Sequence, residues 1–362
     1  MKILVSVFNN LGTDQRVEKV CQTLSENGYE IELLGNNWAG LPPLERNYPF
    51  SRIILKSKIL RFAYVEFQRK LYQELLKKAD QNTILLSNDL DTLLPNYLIS
   101  KKLNIPLVYD SHEIFTEMPA INGRFTQKIW RRLEQWIVPK LKYMMTASES
   151  YADWFHETYR IERPVAVQNF PRKTVNPQDY TESNSKKIIL YQGVINPSRG
   201  LDKMIPAMKF IENAEFWIAG DGPRKEEYFR LTESLGLAHK IKFLGKLPPE
   251  KLRTITPKAD VGLSIEENNG LSYFYSMPNK ISDYIQCRVP VVVSDFPEMR
   301  KVVDVFECGE KIADYSELAD KVNKVLQNGK LFYKDSLNNA ATCLCWEKEE
   351  PKILALFQKI PS

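Results

Sequence analysis

The stretch from Ser272 to Asp295, SYFYSMPNKISDYIQCRVPVVVSD, combines a helix start with groups that can bind an anion. Pro278 suits the first turn of a helix because it has no amide proton to lose. The amides of Asn279 and Lys280 then point out of the helix N-terminus, where the partial positive charge lies. The ammonium of Lys280 adds a full charge, and Asp283 follows about one helical turn later. The pattern predicts phosphates at Pro-Asn-Lys and a ribose-like diol on Asp283. The alternative is a capped helix with a surface Asp and Lys.

Three other predicted strand ends in the second half carry a glycine turn. YQGVINPSRGLD ends a strand at Gly193, and Arg199 precedes an amphipathic helix, where a phosphate would meet helix amides and a cation. WIAGDGP and FLGKLPP repeat the strand–glycine pattern, and the backbone near Leu247 is a candidate to face a nucleotide base. Each turn also has a purely structural explanation, because Gly, Asp and Pro favour tight turns.

The first half also has polar residues where strands end. VYDSHEIF puts His112 directly after a buried strand, and LLSNDLD ends another strand at Asp89. NNLGTDQRV follows the first strand, where Gly12 permits a close backbone approach and Asp14 can cap the next helix. The carboxyl ends of parallel strands form the edge at which ligands bind. His112 is therefore a candidate site residue; a polar cluster that caps the next helix is the alternative.

The sequence contains no metal-ligand constellation. The three histidines are far apart, and the nearest acidic pair, Asp89-Leu-Asp91, runs into a predicted helix. Cys343-x-Cys345 is too isolated for a zinc site, and the five cysteines form no secreted disulfide framework. We therefore expect no metal and no cofactor, and a reducing, cytoplasmic environment.

The elements that position these residues alternate along the whole chain. Predicted strands in the first half are KILVSVF, EIELLG, TILLSND, PLVYDS and YMMTAS, and those in the second half are KIILYQG, EFWIAG, KIKFLG, VGLSIE and PVVVSD. Continuous apolar strands separated by helices are typical of parallel sheets covered on both faces. The fold class is therefore α/β, with two Rossmann-like domains whose parallel sheets face each other across a ligand-binding cleft.

The length of 362 residues and the hydrophobic fraction of 43% allow two domains with their own cores. We predict an N-terminal domain at 1–172, a polar linker at 173–186, a C-terminal domain at 187–345, and a final helix at 346–362 that packs back on the N-terminal domain. No window is apolar enough to span a bilayer. MKILVSVFNN is typical of a first strand rather than of a signal peptide.

The net charge is only +5, but two stretches of the first half are strongly basic. Arg52–Lys78 has eight Lys/Arg against two Glu, and Arg124–Lys142 has six against one. Both also carry aromatic and aliphatic residues, which predicts attraction to an anionic membrane surface or a phosphorylated acceptor. Helices with solvated basic faces are the alternative. Nucleic acid is not expected as a partner, because no recognition motif accompanies the charge.

An ordered set of motifs resembles the retaining, GT-B-fold glycosyltransferases of family four over nearly the whole chain: NNLGTDQRV, SNDLD, YDSHE, YQGVINPSRGLD, IAGDGP, FLGKLP and SMPNKISDYIQCRVPVVVSD. The resemblance implies transfer of a sugar, without a metal, from a nucleoside-diphosphate donor to a hydroxyl acceptor. It implies that the N-terminal domain at 1–172 lies on the acceptor side and that the C-terminal domain at 187–345 binds the donor. It also implies a glycan or lipid-linked acceptor, in surface polysaccharide or glycolipid synthesis at the inner face of the membrane.

The same resemblance implies roles for individual residues. Arg199 would contact the donor diphosphate, Asp283 the nucleotide ribose, and His112 would lie near the transferred sugar. Catalysis would be mainly electrostatic, with Arg199, Lys280 and helix amides stabilising the departing diphosphate. The other donor-binding candidates are Gly12, Gly193, Leu247, Glu266, Pro278 and Asn279.

Two positions depart from the family pattern. Family members often have a Glu eight residues before the ribose carboxylate, where this chain has Tyr275, and many have an Arg after the YQG glycine, where it has Val194. Lys280 is the candidate to replace the cation, and Glu266 or Glu267 the carboxylate. A subset of the family uses Pro-Asn-Lys followed by an acidic residue, so we expect a remodelled site.

Two alternatives to a transferase stay open. One is a GT-B sugar-nucleotide epimerase, which should need extra carboxylates and histidines in the cleft, and these are scarce here. The other is a GT-B subunit that binds a nucleotide or glycan without catalysis, which the departures at Tyr275 and Val194 favour.

Overall fold

The computed structural model describes residues 1–12, 14–174 and 186–361, and the chain divides into two compact units. The first unit contains residues 1–169 and the C-terminal residues from 349 onward, and the second contains residues 170–348. Most of the linker predicted at 173–186, namely 175–185, lies outside the described residues.

The first unit is built on a seven-stranded, all-parallel sheet with the order β3-β2-β1-β4-β5-β6-β7. The strands are β1 (Lys2–Ser6), β2 (Glu30–Asn36), β3 (Phe50–Ile53), β4 (Thr83–Asn88), β5 (Leu107–Ser111), β6 (Tyr143–Thr146) and β7 (Val165–Ala166). The helices are α1 (Gln15–Glu26), α2 (Leu60–Lys78), α3 (Leu90–Leu103), α4 (Phe125–Ile137) and α5 (Glu149–Tyr159). The strand order reverses between β1 and β4, which is where open parallel sheets bind ligands.

The second unit has a six-stranded parallel sheet with the order β10-β9-β8-β11-β12-β13. The strands are β8 (Lys187–Gln192), β9 (Ala214–Ala219), β10 (Ile241–Gly245), β11 (Val261–Ser264), β12 (Val291–Ser294) and β13 (Gly309–Ile312). Its helices are α6 (Leu201–Ala207), α7 (Lys225–Ser234), α8 (Pro249–Ile255), α9 (Leu271–Phe274), α10 (Asn279–Gln286), α11 (Pro297–Phe306), α12 (Leu318–Phe332) and α13 (Lys334–Cys343). Here the order reverses between β8 and β11.

The last helix, α14 (Trp346–Gln358), starts in the second unit and ends in the first. Within the first unit, Nζ of Lys352 donates to the carbonyl of Ala166 at 3.2 Å, and the hydroxyl of Tyr143 donates to the carbonyl of Lys359 at 3.3 Å. These bonds attach the C-terminal residues to the strands β6 and β7.

The ten predicted strands are confirmed, but β3, β7 and β13 were not predicted. β3 (FSRI) and β13 (GEKI) are edge strands, and only the last residue of each is buried. An edge strand that is mostly uncovered needs no continuous apolar run, so its sequence lacks the signal that marks the central strands. Across the described ranges, no helix combines the length and the apolar character that a bilayer span needs.

One buried tyrosine fixes α10 against the sheet of the second unit. The hydroxyl of Tyr284 donates to the carbonyl of Leu190 at 3.1 Å and accepts from the amide of Gln192 at 3.0 Å, both on β8. Its ring lies against β11, where a Cβ on Gly262 would come within 2.4 Å of the ring carbons. Glycine at this position therefore lets α10 approach the sheet closely, which sets the position of the polar residues at its start.

Candidate active site

A buried carboxylate, Glu266, binds two cations at the carboxyl end of the second sheet. Its Oε2 accepts a hydrogen bond from Nη1 of Arg199 at 2.7 Å, and its Oε1 accepts one from Nζ of Lys280 at 2.9 Å. The side chain of Glu266 is 1% exposed and that of Lys280 is 10% exposed. Two positive charges therefore surround one negative charge where little water screens them, just beyond β8 and β11.

The backbone around Glu266 explains how Arg199 comes so close. Gly200 has φ +67°, and a Cβ there would lie 2.3 Å from the carbonyl oxygen of Ile265. Only glycine lets this turn pack against the end of β11. The hydroxyl of Ser294, on β12, accepts from the amide of Glu266 and donates to its carbonyl, both at 2.8 Å. Ser294 thus fixes the main chain of Glu266, and with it the place from which the carboxylate extends.

Lys280 lies in the first turn of α10 and extends towards the end of β8. Pro278 was predicted in the first turn of this helix, but it is the N-cap, and the helix begins at Asn279. The ammonium of Lys280 lies 4.5 Å from the ring centroid of Tyr191, and its Cε is 3.7 Å from the place that a Cβ on Gly193 would occupy. Lys280 therefore puts its charge beside the glycine turn, next to the position where the family pattern has an arginine and this chain has valine.

The tyrosine-rich loop before α10 supports the second cation. The guanidinium carbon of Arg199 lies 4.7 Å from the ring centroid of Tyr273, on the short helix α9. A cation over the face of an aromatic ring is stabilised by the ring quadrupole. The loop thus helps to hold Arg199 beside Glu266, while Tyr275, which replaces the family's Glu, is only half-buried.

Asp283 lies one helical turn from the start of α10 and is bonded to the end of β8. Its Oδ2 accepts from Nε2 of Gln192 at 3.2 Å, and Oε1 of Gln192 accepts from the hydroxyl of Thr256 at 2.8 Å. This chain of bonds orients the carboxylate, which is partly exposed. A partly exposed, oriented carboxylate can accept hydrogen bonds from a diol.

The charges of this cluster depend on one another. Burial would raise the pKa of Glu266, but Lys280 and Arg199 outweigh that effect and hold the pKa below its ordinary value. Burial lowers the pKa of Lys280; Glu266 raises it and Arg199 lowers it, and the net shift is downward. Burial would lower the pKa of Arg199, but Glu266 raises it above its ordinary value. The carboxylate of Glu266 therefore opposes the loss of the Lys280 proton, which burial and Arg199 favour.

A second polar cluster surrounds His112 at the carboxyl ends of β4 and β5 in the first unit. Its Nδ1 lies 3.3 Å from Oδ2 of Asp89, and its Nε2 lies 3.3 Å from Oδ2 of Asp110 and 3.2 Å from Oδ1 of Asn88. Asp110 is completely buried and is held by Arg16 of α1 through two hydrogen bonds, of 2.6 and 3.0 Å. His112 is therefore clamped between two carboxylates.

These contacts set the charge of the imidazole. Burial would lower the pKa of His112, but Asp89 and Asp110 outweigh it and raise the pKa to about 9. Burial likewise would raise the pKa of Asp110, but Arg16 and His112 hold it at about 2. At neutral pH His112 is an imidazolium, which makes it a hydrogen-bond donor and a local positive charge rather than a base.

Asp89 has an unusual backbone for a residue that is not glycine. It precedes α3 with φ 59° and ψ 168°, a region used almost only by glycine. Its Oδ1 accepts from the amide of His112 at 2.9 Å, and its own amide donates to the carbonyl of Asp110 at 2.8 Å. Strained conformations of this kind cluster at functional sites. The side chain remains 25% exposed, so it is the accessible carboxylate of the cluster.

Two other predicted donor-binding residues, Gly12 in the first unit and Leu247 in the second, follow strands other than β8 and β11. Gly12 follows β1 and donates from its amide to the side chain of Asn10 at 3.1 Å; a Cβ there would lie 2.6 Å from Pro42. Leu247 follows β10 and packs against the core, with β9 between its strand and β8. Asp14 caps α1 as predicted, by accepting from the amide of Val17 at 3.0 Å.

Metal ligands do not gather in either cluster. Within the described part of the chain, no group of three or more His, Cys, Asp or Glu side chains is arranged to hold a metal ion. The two clusters therefore offer hydrogen bonds and side-chain charges.

The family assignment comes from two matches that together span most of the chain. Residues 172–341 match the family described as Glycosyl transferases group 1, and residues 12–169 match the one described as Glycosyltransferase Family 4. The chain belongs to the group 1 glycosyltransferases.

Individual relatives agree with this assignment. The glycosyltransferase is 21% identical to the chitobiosyldiphosphodolichol beta-mannosyltransferase of Candida glabrata, over 92% of this chain and 85% of the relative. Its fold is similar to that of sucrose-phosphate synthase from Thermosynechococcus elongatus, with a TM-score of 0.79 and 14% identity over 99% and 98% of the two chains. It is also similar to Anabaena HepE in complex with UDP and glucose, with a TM-score of 0.75 and 15% identity over 99% and 100%. The predicted GT-B fold, with two Rossmann-like parallel sheets, is confirmed.

The sequence analysis of this glycosyltransferase did not predict several residues that complete the two clusters. Gln192, Tyr273 and Ser294 bind or support the predicted donor residues, and Arg16 and Asp110 support His112. Four of these residues had a signal, since Gln192, Ser294, Arg16 and Asp110 all stand inside motifs that the family shares. Tyr273 is an ordinary residue of the loop before α10 until the fold places it.

Proposed function

We propose that this glycosyltransferase moves a sugar from a nucleoside-diphosphate donor to a hydroxyl acceptor, with retention of configuration and without a metal. The observation that carries the proposal is the pair of cations, Arg199 and Lys280, held on Glu266 beyond β8 and β11. This position is the topological switch point of the sheet, where doubly wound folds bind nucleotides.

The charge balance of the cluster supports a diphosphate as its ligand. Two cations against one buried carboxylate leave a net positive charge, and the first amides of α10 add the positive end of a helix dipole. The oxygen atoms of a diphosphate match both features, and charge-assisted hydrogen bonds of this type are among the stronger ones. Asp283, one turn further along α10, is then the candidate for the ribose hydroxyls. HepE, whose structure is solved in complex with UDP and glucose, supports a nucleotide donor by analogy of fold.

In the proposed reaction the bond between the sugar C1 and the diphosphate oxygen breaks. The acceptor oxygen bonds to C1 from the same face, and the acceptor proton passes to the departing diphosphate. Arg199, Lys280 and the helix amides stabilise the negative charge that develops on the diphosphate, which is the electrostatic contribution to the rate. Retention rests on the resemblance to the retaining members of family four.

The proposed acceptor is a glycan or a lipid-linked glycan of surface polysaccharide or glycolipid synthesis. The Candida glabrata relative supports a lipid-linked acceptor, because its name gives chitobiosyldiphosphodolichol as the molecule on which it acts. Such an acceptor would bring the enzyme to the inner face of a membrane. The five free thiols of the chain fit the reducing compartment that this location implies.

The proposal is tested by a donor screen followed by product analysis. Nucleoside-diphosphate sugars with different bases are compared by thermal shift, since a ligand that binds only the folded state raises the melting temperature. The best donor is then incubated with glycan acceptors, with and without EDTA, and the anomeric configuration of the product is read by NMR. We expect a transfer product that retains the donor configuration and forms equally well in EDTA.

Each other outcome overturns a stated part of the proposal. Release of an epimerised sugar nucleotide would favour the epimerase alternative, and binding without turnover would favour the non-catalytic subunit. An inverted product would contradict retention. A complete loss of activity in EDTA that Mg²⁺ restores would contradict metal independence.

A further inference from the structure

The outer helices of the first unit expose an unusual number of large apolar side chains. On α2, Phe62 and Val65 are 52% and 70% exposed, and on α4, Phe125 and Ile129 are 76% and 53% exposed. Large apolar groups that point into water in one region mark an interaction site.

Helical spacing places these residues in two stripes. On α2 the stripe runs through Phe62, Val65, Arg69, Tyr72 and Leu76, with steps of three and four residues. Such steps keep side chains on one face of a helix. The corresponding stripe on α4 is Phe125, Ile129, Arg132 and Trp136.

The two stripes are joined through α3. A groove of about 660 Å³ lies between α2 and α3 and is lined by four residues of the α2 stripe (Val65, Arg69, Tyr72 and Leu76) together with Leu94 and Leu98. On the other side, the ring of Tyr97 on α3 contacts that of Trp136 on α4, with centroids 5.5 Å apart. We call this continuous surface of α2, α3 and α4 the three-helix face.

Basic side chains surround and interrupt the apolar residues of the three-helix face. Among the exposed ones are Arg61, Arg69, Lys101, Lys128, Arg132 and Lys140. Lys101 and Lys140 lie over the rings of Tyr97 and Trp136, at 5.7 and 5.0 Å. In this arrangement the stems cover apolar surface while the charged ends stay in water.

The acidic residues of the same helices do not balance this charge. Glu66 is paired with Lys70 at 2.7 Å, and Glu74 is paired with Lys77 at 3.0 Å. Asp91 and Glu134 are buried, at 8% and 0% exposure. The three-helix face therefore has a net positive charge and a substantial apolar area together.

We propose that the three-helix face docks on an anionic lipid bilayer. Lys and Arg around exposed Phe, Ile and Trp are the combination that surface-bound membrane helices use: the cations bind lipid headgroups, and the apolar groups enter the interface. A second copy of this chain would bring like charges together. A nucleic acid backbone would leave the apolar side chains without a partner.

The three-helix face lies next to the His112 cluster of the first unit. Tyr64, in the first turns of α2, stacks on Phe8 at 4.3 Å, just beyond β1, and also contacts Trp130 of α4 at 5.9 Å. Asp89 directly precedes α3. The beginnings of α2 and α3, together with Trp130 in the middle of α4, thus border the sheet edge that carries the His112 cluster. The inference extends the proposed function, since a lipid-linked acceptor would be presented at this edge, but vesicle binding can be measured without a donor.

The test is flotation of the whole chain with vesicles. The probes are vesicles of phosphatidylcholine alone and of equimolar phosphatidylcholine and phosphatidylglycerol, at low and at high salt. We expect flotation with the anionic vesicles at low salt, release at high salt because exposed charges are screened, and little flotation with the neutral vesicles.

Matched variants separate the three-helix face from the rest of the surface. The double change Phe125→Ser/Ile129→Ser is compared with Phe210→Ser/Phe332→Ser, because Phe210 and Phe332 are 72% and 70% exposed in the second unit. The changes on the three-helix face should reduce binding to anionic vesicles at least tenfold, and the control pair should bind as the wild type does.

A second comparison tests charge. Arg69→Glu/Arg132→Glu is compared with Lys251→Glu/Arg253→Glu, a pair of exposed cations on α8 of the second unit. Each cation near an anionic surface contributes on the order of 1 kcal/mol, so reversal of two should lower binding more than tenfold. Arg131 is not used, because it is paired with Glu117 at 2.7 Å. All variants are checked for wild-type melting temperatures.

The proposal is overturned if the wild type does not float with anionic vesicles at low salt. Equal losses in the face variants and their controls would overturn it as well, since binding would then be a property of the whole surface. If the chain does not bind vesicles but self-associates, and the changes on the three-helix face abolish this self-association, the face binds a second copy instead.

Donor binding by thermal shift is measured in parallel. A chain that binds donor but ignores vesicles contradicts the docking alone, and one that binds vesicles but no donor contradicts the proposed function alone.

Discussion

The ammonium nitrogen of Lys280 lies 2.9 Å from Oε1 of Glu266, and both side chains are almost completely buried. This pair joins the first turn of α10 to the end of β11, and Arg199 occupies the other oxygen of the same carboxylate. Removal of one partner from a buried pair leaves an uncompensated charge. The three residues therefore act as a unit, and each change within it has a distinct expected effect.

Arg199→Ala and Lys280→Ala should each weaken binding of the sugar-nucleotide donor. Each removes a charge-assisted contact to the diphosphate, on the order of 1.5–3 kcal/mol, or roughly ten- to a hundredfold in the dissociation constant. Isothermal titration calorimetry gives the comparison, with Arg230→Ala and Lys251→Ala as controls on exposed helical surface of the same unit. If both site variants bind the donor normally while folded, the donor site lies elsewhere.

Glu266→Gln should change how donor binding depends on pH. The carboxylate raises the pKa of Lys280, whereas burial and Arg199 lower it. Without the carboxylate, Lys280 loses its proton at lower pH, so donor affinity should begin to fall at a lower pH than in the wild type. The dissociation constant is measured across the alkaline range.

Lys280→Arg provides the control for this shift, because a guanidinium does not lose its proton in that range. The double variant Lys280→Arg/Glu266→Gln should have no alkaline decline of donor affinity. An unchanged decline in Glu266→Gln would mean that Lys280 is not the group that titrates.

Asp283→Asn should weaken donor binding through the ribose. The amide still accepts a hydrogen bond but loses the charge, so its bond to a hydroxyl is weaker. A deoxyribose donor, which lacks one hydroxyl, should lose less affinity on this change than the normal donor. Equal losses for the two donors would exclude the ribose role.

Glu134 should make the stability of the chain fall as the pH rises. Burial raises its pKa to about 7, although hydrogen bonds from Tyr159 and Thr116, at 2.6 and 2.9 Å, act in the opposite direction. The unfolded carboxyl, with an ordinary pKa of about 4.3, ionises first. The protonated carboxyl of Glu134 therefore contributes its full share to the stability of the fold below a pH of about 4.3. This contribution is lost as the pH rises towards 7.

Glu134→Gln isolates this contribution, because the glutamine oxygen can still accept from both hydroxyls. The free energy of unfolding is measured by urea denaturation at pH 5 and pH 8 for both proteins. The wild type should lose more stability between the two pH values than the variant does. Parallel pH dependence in both would contradict the raised pKa.

The backbone strain at Asp89 can be tested by comparing the stabilities of the Asp89→Gly and Asp89→Ala variants. Both changes remove the carboxylate, but only glycine adopts φ 59° and ψ 168° without strain. Relief of about 1–3 kcal/mol of strain exceeds the roughly 0.5–1 kcal/mol that glycine loses through its greater freedom when unfolded. Asp89→Gly should therefore unfold at higher urea concentration than Asp89→Ala. At Asp153, inside α5, the order should reverse. The same order at both positions would mean that Asp89 is unstrained.

Much of the fold could be predicted because its signals are local. The buried central strands are continuous apolar runs, and the helices between them have a helical period, so the parallel α/β architecture follows from the order of patterns. The start of α10 is equally local, since Pro278, Asn279 and Lys280 are adjacent. Edge strands such as β3 and β13 escaped prediction because a strand covered by few neighbours needs few apolar residues.

The partners of the site residues depended on tertiary structure. Arg199 and Glu266 are 67 positions apart and share a partly buried hydrogen bond, and Arg16 and Asp110 are 94 apart and share a buried one. No local pattern specifies such a pair, because the contact exists only once neighbouring strands have brought their ends to one edge of a sheet. The sequence by itself determined which charged groups stand at strand ends and helix starts. Tertiary structure alone decided that Glu266 would bind both cations and that two aspartates would keep His112 charged, because burial removes the water that would otherwise separate these charges.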